Sequence, residues 1–402
     1  MRRAHLAPLW GLEEDSFSKL RLNSPDNGWF PILQDLNWYI TETNLPYADL
    51  FFSPHLKRIS IHRLQVHFGE PAGPLNTLPV TAIASAISTL PTSALQSLRV
   101  FCSESWSPEA SWTGFTDSLS SVVLRCGQSL TEFISKVPLS DTAVNHLTRL
   151  PLLRTCRIEG PPPGHSVPHS PLVLPPLVEL ELGRDTAREW VSLFERLGGC
   201  VDSLSKVKES LKSLDLPIPT IDASFVASIQ PFHNLVNLRV DADCYGRGSQ
   251  RGCTFKLNND NVAELTMALS QLESLLLGRP CSSDACATTA ACLLSISVHC
   301  AELRELEIHF NATNIVDDLE NISDDPRFQE LRSRPRCQLL LLNVYRIQLT
   351  LDEPGLETVM NGMLDIFPSL GWSEEAAEGS GWGELSNKLW EFQDEMCTSD
   401  MS

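Results

Sequence analysis

The chain has 402 residues and a formal net charge of −19, from 31 basic and 50 acidic side chains. A surface this acidic argues against sequence-independent binding to nucleic acid or anionic lipid, because clustered cations supply the affinity for such polyanions. Hydrophobic residues make up 42% of the chain, too many for a disordered protein, and no apolar run reaches the ~18 residues of a membrane-spanning helix.

Residues 1–27 precede the first clear strand and are predicted to form an N-terminal cap, since the open end of a repeat array exposes apolar surface. The first 15 residues carry Arg2 and Arg3 but no long apolar stretch, so they match neither a signal peptide nor a mitochondrial presequence. We therefore expect a cytoplasmic or nuclear protein.

One pattern, apolar-x-x-apolar-x-apolar, recurs along the chain, from Leu33-x-x-Leu36-x-Trp38 to Phe367-x-x-Leu370-x-Trp372. The twelve copies begin at Leu33, Leu56, Leu95, Leu130, Leu153, Leu177, Leu211, Leu235, Leu272, Leu303, Leu339 and Phe367, the copy at Leu130 being weaker. The mean spacing is about 30 residues, and the shorter steps fall within the range of leucine-rich repeats.

Each copy predicts a short strand. Side chains in a strand alternate between two faces, so the fourth and sixth positions point inward and the third and fifth point outward. The first position enters from the preceding turn and seals the coil. A single coil cannot bury its own apolar face, so neighbouring coils must stack.

The segments between the strands carry helical periodicity. Helices are predicted over 78–89, 142–150, 223–229, 261–269 and 286–298, with Asp141, Asp222, Asp260 and Asp284 as capping residues. The predicted fold is α/β, an irregular leucine-rich-repeat solenoid (horseshoe) over 28–372 with parallel strands on the concave face and helices outside. It is irregular because the turn asparagine typical of such repeats occurs only at Asn311.

Two segments depart from the repeat. Residues 160–176 hold seven prolines and predict an extended loop, either solvated or a ligand for an SH3 or WW domain. Residues 373–402 carry a net charge of −7 and predict an acidic C-terminal tail, either a terminal cap or disordered.

The 12 cysteines include no Cys-x-x-Cys pair. The densest group, Cys281, Cys286, Cys292 and Cys300, has spacings of 5, 6 and 8 residues, whereas structural zinc sites show short paired spacings. We therefore interpret the cysteines as small buried thiols in a reducing compartment and expect no metal site.

No motif predicts catalysis. The sequence has no phosphate-binding G-x-x-x-x-G-K-[ST] loop, no G-x-G-x-x-G after a strand, no G-x-S-x-G nucleophile elbow and no H-E-x-x-H metal motif. We expect no enzyme activity and no cofactor. An undetected hydrolase, with a nucleophile and a base meeting across repeats, is the alternative.

The concave face is the expected binding surface, and a mixed polar face suits a protein partner better than nucleic acid or membrane. The predicted partner-binding residues are Arg58, Arg99, Arg157, Glu179, Glu181, Asp215, Arg239, Glu305 and Glu307. Changing Arg99 and Arg157 to Glu is expected to abolish partner capture without unfolding the chain.

Three segments resemble the leucine-rich-repeat region of F-box proteins from mushroom-forming fungi. They are Ala7-Pro8-Leu9-Trp10, the run from Phe30 to Trp38 (FPILQDLNW) and the run from Leu50 to Ile61 (LFFSPHLKRISI). In that family an F-box module binds the Skp adaptor of an SCF-type ubiquitin ligase, and the repeats hold the substrate. The resemblance therefore implies a substrate-binding platform.

An F-box is a helical segment, usually with Leu-Pro near its start, and the residues before the first strand show no such pattern. We expect this chain to lack the F-box, so the Skp adaptor is a partner only if an F-box exists upstream. The alternative is a stand-alone leucine-rich-repeat scaffold or regulatory protein with no ligase link.

Overall fold

The computed structural model describes most of the predicted strands and helices. The described residues are 3–6, 14–23, 30–41, 44–63, 80–101, 112–137, 139–158, 175–182, 207–218, 220–242, 255–278, 286–331, 337–343, 352–372, 385 and 388. The chain divides into two compact units, Met1–Val207 and Lys208–Ser402.

The first unit is α/β, and its strands are parallel. The described strands are β1 (Arg3–Leu6), β2 (Asp35–Ile40), β3 (Arg58–Arg63), β4 (Ser97–Phe101), β5 (Glu132–Ser135), β6 (Thr155–Ile158) and β7 (Glu179–Leu182). They pair in chain order, from β1 with β2 to β6 with β7. The described helices are α1 (Glu14–Leu22), a 3-10 helix (Leu45–Phe51), α2 (Val80–Ser88), α3 (Trp112–Arg125) and α4 (Asp141–Leu147).

The second unit repeats this arrangement. Its described strands are β8 (Ser213–Ile218), β9 (Asn237–Ala242), β10 (Ser274–Leu277), β11 (Glu305–Ile308), β12 (Leu341–Asn343) and β13 (Gly371–Trp372), again parallel and paired in chain order. Its described helices are α5 (Ala223–Ile229), α6 (Asn259–Ala268), α7 (Cys292–His299), α8 (Ile315–Asp324), α9 (Pro326–Leu331) and α10 (Glu353–Ile366). The predicted α/β class with parallel strands is confirmed.

The sequence motif marks the strands and their buried face. Every copy coincides with one of the strands β2–β13, and the first, fourth and sixth positions that the structure describes are buried. In the first copy Leu33 and Trp38 are 0% exposed, and the indole N–H of Trp38 donates to the side-chain oxygen of Asn44 at 3.2 Å. Each buried leucine contributes about 1.5–3 kcal/mol by leaving water, and the repeated motif supplies the strand side of the core.

The weaker copy at Leu130 has Ser135 in the sixth position. This hydroxyl is buried, but it donates to the carbonyl of Val137 at 2.8 Å and accepts from the Val137 amide at 2.9 Å. A buried hydroxyl costs little once both roles are satisfied, so the strand tolerates a polar residue there.

The predicted helices are confirmed, with corrections at their starts. Asp222 caps α5, its Oδ1 accepting from the amides of Ser224 and Phe225. Ser140, rather than Asp141, caps α4, and Asn258, rather than Asp260, caps α6 in a reciprocal capping box. A capping side chain accepts from a backbone amide two or three residues further along the helix. These amides belong to Ala143 in α4 and Asn261 in α6, so the caps lie before the predicted aspartates.

Helix α7 begins at Cys292, not at residue 286 as predicted. Thr289 forms a parallel bridge with Asn311, and the Thr289 amide donates to Asn259, so this stretch is held in an extended turn. Asp284 lies outside the described residues. Helices α1, α3 and α10 were not predicted.

Parts of the domain prediction fall outside the described residues. Of the proline-rich loop 160–176 only Pro175 and Pro176 are described, and of the tail 373–402 only Leu385 and Lys388. Leu385 is buried, and Lys388 Nζ lies 3.2 Å from Glu353 Oε1 in α10. The predicted cap 1–27 contains α1 and β1, and β1 pairs with β2.

Within the described part of the chain, no helix has the length and apolar character needed to cross a membrane.

Candidate functional site: the outward strand face

The side chains that alternate with the buried ones form what we call the outward face of the strands. In each unit the parallel register places equal motif positions side by side, so Asp35 lies beside Arg58 and Arg58 beside Ser97. The described side chains at these third and fifth positions are largely half-buried, with Arg58 and Asn237 exposed and Ser97 buried. A polar layer therefore covers the apolar core of each sheet.

Asp35 lies between two arginines. Its carboxylate accepts from Arg58 Nε and Nη2, both at 2.7 Å, and from Arg3 Nε at 3.0 Å. The hydrogen bond from Arg58, with the charges of both arginines, outweighs burial and holds the pKa of Asp35 below its usual value. The same pair raises the pKa of Arg58.

Glu132 on β5 accepts hydrogen bonds from two side chains of β4. Arg99 binds it with two nitrogens, Nη2 to Oε1 at 2.7 Å and Nε to Oε2 at 3.0 Å, and Ser97 donates to Oε2 at 2.5 Å. Burial raises the pKa of Glu132, but the hydrogen bonds from Arg99 and Ser97 and the arginine charges outweigh it, so the net shift is downward. The carboxylate is therefore held ionised.

Arg157 on β6 binds two carboxylates of β7. Its guanidinium pairs with Glu179 and lies 2.8 Å from Glu181 Oε2. We call the eight charged residues of this face the ion-pair ladder: Arg3, Asp35, Arg58, Arg99, Glu132, Arg157, Glu179 and Glu181. Four cations and four anions leave the ladder with no net charge.

The outward face of the second unit also carries paired side chains. Arg239 Nε lies 3.8 Å from Asp215 Oδ2, and Ser274 Oγ donates to Glu305 Oε2 at 2.8 Å. Glu307 follows Glu305 on β11 and is aligned with Leu276 of β10. These described side chains give the face of the second unit more carboxylates than cations.

The structure divides the predicted partner-binding residues between the two units. Arg58, Arg99, Arg157, Glu179 and Glu181 share the face of the first unit, and Asp215, Arg239, Glu305 and Glu307 share that of the second. The prediction omitted Arg3, Asp35 and Glu132. The carboxylates of Asp35 and Glu132 bind the arginines of this face. Aligning the motif copies finds Asp35 and Glu132, because both occupy the third position.

The ladder corrects one expectation. In an Arg99→Glu variant the new carboxylate would lie beside Glu132, and in Arg157→Glu it would lie between Glu179 and Glu181. Like charges brought close together on neighbouring strands repel each other and are destabilising. These reversals are therefore expected to lower stability, an effect that the expectation of an intact fold left out.

A row of three stacked rings lies one step further along the same face. Tyr39, His62 and Phe101 occupy the seventh position of three consecutive copies and are neighbours in register. The ring centroids of Tyr39 and His62 are 4.7 Å apart, and those of His62 and Phe101 are 4.8 Å apart, with interplanar angles of 17° and 19°. We call this row the aromatic ladder. The motif stops at the sixth position, so the motif does not predict this row.

The six described cysteines are buried thiols, as predicted. Burial raises the pKa of Cys126, Cys156 and Cys300 to about 12 and that of Cys337 to about 11. These thiols stay protonated, and a protonated thiol is neither a nucleophile nor a metal ligand. Among the described residues, no three His, Cys, Asp or Glu side chains converge as metal ligands would.

Comparison with models of known protein families and with curated protein sequences finds no match.

Proposed function

We propose that this chain is a non-catalytic protein-recognition platform, an irregular leucine-rich-repeat solenoid whose outward strand face lines the concave side of a horseshoe. The observation that carries the proposal is the contrast between the two faces of each strand. The buried positions are apolar in nearly every copy, while the outward positions of the first unit form an ordered, paired polar layer. A rigid and partly exposed polar surface of this kind is suited to binding a protein.

The charge pattern favours a protein partner over a polyanion. Each guanidinium of the ion-pair ladder already contacts a carboxylate, so phosphate groups would have to compete with Asp35, Glu132 or Glu179 for it. Nucleic acid binding depends on cations that release counterions from the phosphates. A surface of alternating sign instead selects a partner with the complementary pattern.

The resemblance of residues 7–62 to fungal F-box proteins supports a more specific role. We place this platform as the substrate-binding part of an SCF-type ubiquitin ligase in the cytoplasm or nucleus. The Skp adaptor is a partner only where an F-box exists upstream. The alternative is a stand-alone scaffold or regulatory protein, and recovery of a Skp adaptor with the full-length protein separates the two.

The test exchanges charges without breaking their pairing. The double variant Arg99→Glu with Glu132→Arg keeps an ion pair between β4 and β5 but reverses its direction. We expect the fold to be retained and captured partners to fall about tenfold or more, because charge-pattern recognition depends on sign as well as position. The measurement is quantitative mass spectrometry of proteins that co-purify with each variant.

A matched control exchanges a pair away from the strands. Arg21 on α1 lies 3.2 Å from Asp49 in the 3-10 helix, and both side chains are about half exposed. Exchanging these two residues is expected to leave capture unchanged. Wild-type capture by the Arg99/Glu132 exchange variant would refute a role for the outward face of the first unit.

A further inference from the structure

The aromatic ladder has a defined orientation. Strand side chains stand roughly perpendicular to the sheet, and the three rings stack along the direction that joins neighbouring strands. Their separations of 4.7 and 4.8 Å equal the spacing of paired strands. The ring planes therefore stand upright on the sheet, and the rings turn their edges away from it.

The faces of the stack are largely occupied. Both faces of His62 are covered by its neighbours, and Tyr39 and Phe101 each have one face covered by His62. A cation binds an aromatic ring over its face, so the stack is a poor cation site. Ring edges carry partial positive charge and attract the electron-rich face of another ring in an edge-to-face contact.

The charged side chains that precede the aromatic ladder on the strand face are paired with one another. Asn37 and Ser60 precede Tyr39 and His62 by two residues on the same face and are uncharged. Beyond them Asp35 is paired with Arg58, and on the neighbouring strand Arg99 is paired with Glu132. Lys136 follows β5 and donates its amide to Val100, the residue before Phe101.

We propose that the aromatic ladder is the anchor point of the strand face in the first unit, and that it binds an uncharged protein segment through an aromatic side chain. This inference rests on the proposed function and names the chemistry of its partner. The aromatic ring of the partner packs its face on the edges of Tyr39, His62 and Phe101. The ion-pair ladder forms the polar rim, the arrangement in which buried aromatic contacts dominate binding.

The test uses a phage-displayed library of random 12-residue peptides, selected on the full chain. The ladder variant carries Tyr39→Ser, His62→Ser and Phe101→Ser. Selected peptides are expected to be rich in Trp, Tyr or Phe and close to neutral. The ladder variant is expected to bind them about tenfold or more weakly, an effect of the size that anchor residues produce. Raising NaCl from 0.1 to 1 M should change their Kd by less than about twofold.

Two further variants complete the design. The control replaces exposed leucines of the same unit that lie off the strands, Leu22→Ser, Leu124→Ser and Leu152→Ser, and is expected to bind like the wild type. Circular dichroism and urea unfolding establish that each variant is folded. If the triple ladder variant does not fold, the single change His62→Ala, at the central ring, replaces it.

The remaining outcomes overturn the inference. Charged peptides that lose affinity in the Arg99/Glu132 exchange variant but not in the ladder variant would leave the proposed function standing and refute the aromatic anchor. Peptides enriched in proline alone would refute the aromatic partner. A selection in which neither variant affects binding would refute both the anchor and the use of this face for recognition.

Discussion

At the scale of the residue, His309 is a buried histidine whose ring makes no hydrogen bond to the described residues. It lies directly after β11, is 6% exposed, and packs edge-on against Phe255 with ring centroids 6.1 Å apart. Neither ring nitrogen has a hydrogen-bond partner among the described residues, although the backbone carbonyl accepts from Cys286 Sγ at 3.7 Å. Burial lowers the pKa of His309, so the folded state holds this imidazole neutral.

This environment predicts acid sensitivity. The unfolded chain takes up a proton on His309 near its usual pKa of about 6.5, whereas the folded chain resists it, so the free energy of unfolding falls as the pH drops below 6.5. The slope for one such group is at most about 1.4 kcal/mol per pH unit. Urea unfolding of the wild type and of His309→Phe, at pH 8 and pH 5, should show a smaller pH effect in the variant.

The pKa of His299 is also lowered, by burial and by the charge of Arg327. Some acid dependence of stability therefore remains in the His309→Phe variant. His233 is exposed, and His233→Phe is the control. Equal loss of stability on acidification in His309→Phe and in the wild type would show that His309 is not the group that titrates.

At the scale of the element, β10 is followed by a glycine in the left-handed region of the backbone. Gly278 has a φ of +80°, and its amide donates to Val240 at 2.7 Å. A Cβ atom there would lie 3.0 Å from Cδ2 of Phe255. Phe255 is 2% exposed and is held by a parallel bridge to Ile221, so its ring has little room to move.

Gly278→Ala should therefore be destabilising by about 2 kcal/mol, combining the left-handed backbone penalty with the displaced ring. The measurement is the midpoint and slope of urea unfolding. Gly114→Ala in α3 is the matched control, because nothing lies within 4 Å of the new Cβ. Alanine in a helix should stabilise by up to about 1 kcal/mol. Unchanged stability in Gly278→Ala would mean that Phe255 is not fixed.

At the scale of the whole molecule, stability is built from neighbouring strands. Leu275 of β10 is 0% exposed, and β10 pairs only with β9 and β11 among the described strands. In such an array each repeat contacts its neighbours, so the effect of a core cavity spreads mainly to the adjacent coils. The buried face is the same in every copy, but the energetic consequences of a change are local.

Leu275→Ala should cost about 2–5 kcal/mol, the range for a buried leucine. In hydrogen exchange by mass spectrometry, the amides of β9–β11 should exchange faster, and those of β3 should change little. Leu340→Ala, at a residue that is 54% exposed just before β12, is the control and should alter neither stability nor exchange. A uniform increase in exchange along the whole chain would contradict this locality.

The sequence by itself determined strands β2–β13 and which of their faces is buried, whereas β1 carries no copy of the motif and was not predicted. Leu33, Leu36 and Trp38 form a local pattern. Side chains alternate between the two faces of a strand, so apolar residues two apart lie on the same face. The number of copies and the parallel order follow from that pattern, because a coil that cannot bury its own face must pack against the next. Helix α5 and its cap Asp222 are equally local, so both were predicted.

The tertiary structure alone decided which outward residues meet. Arg58 and Asp35 are separated by 23 residues, and Arg99 and Glu132 by 33, so their pairing depends on the register between strands. The stack of Tyr39, His62 and Phe101 depends on the same register. Local periodicity assigns a side chain to a face but does not give its neighbour across the sheet. The buried face was therefore readable from the sequence, whereas the pairing on the outward face was not.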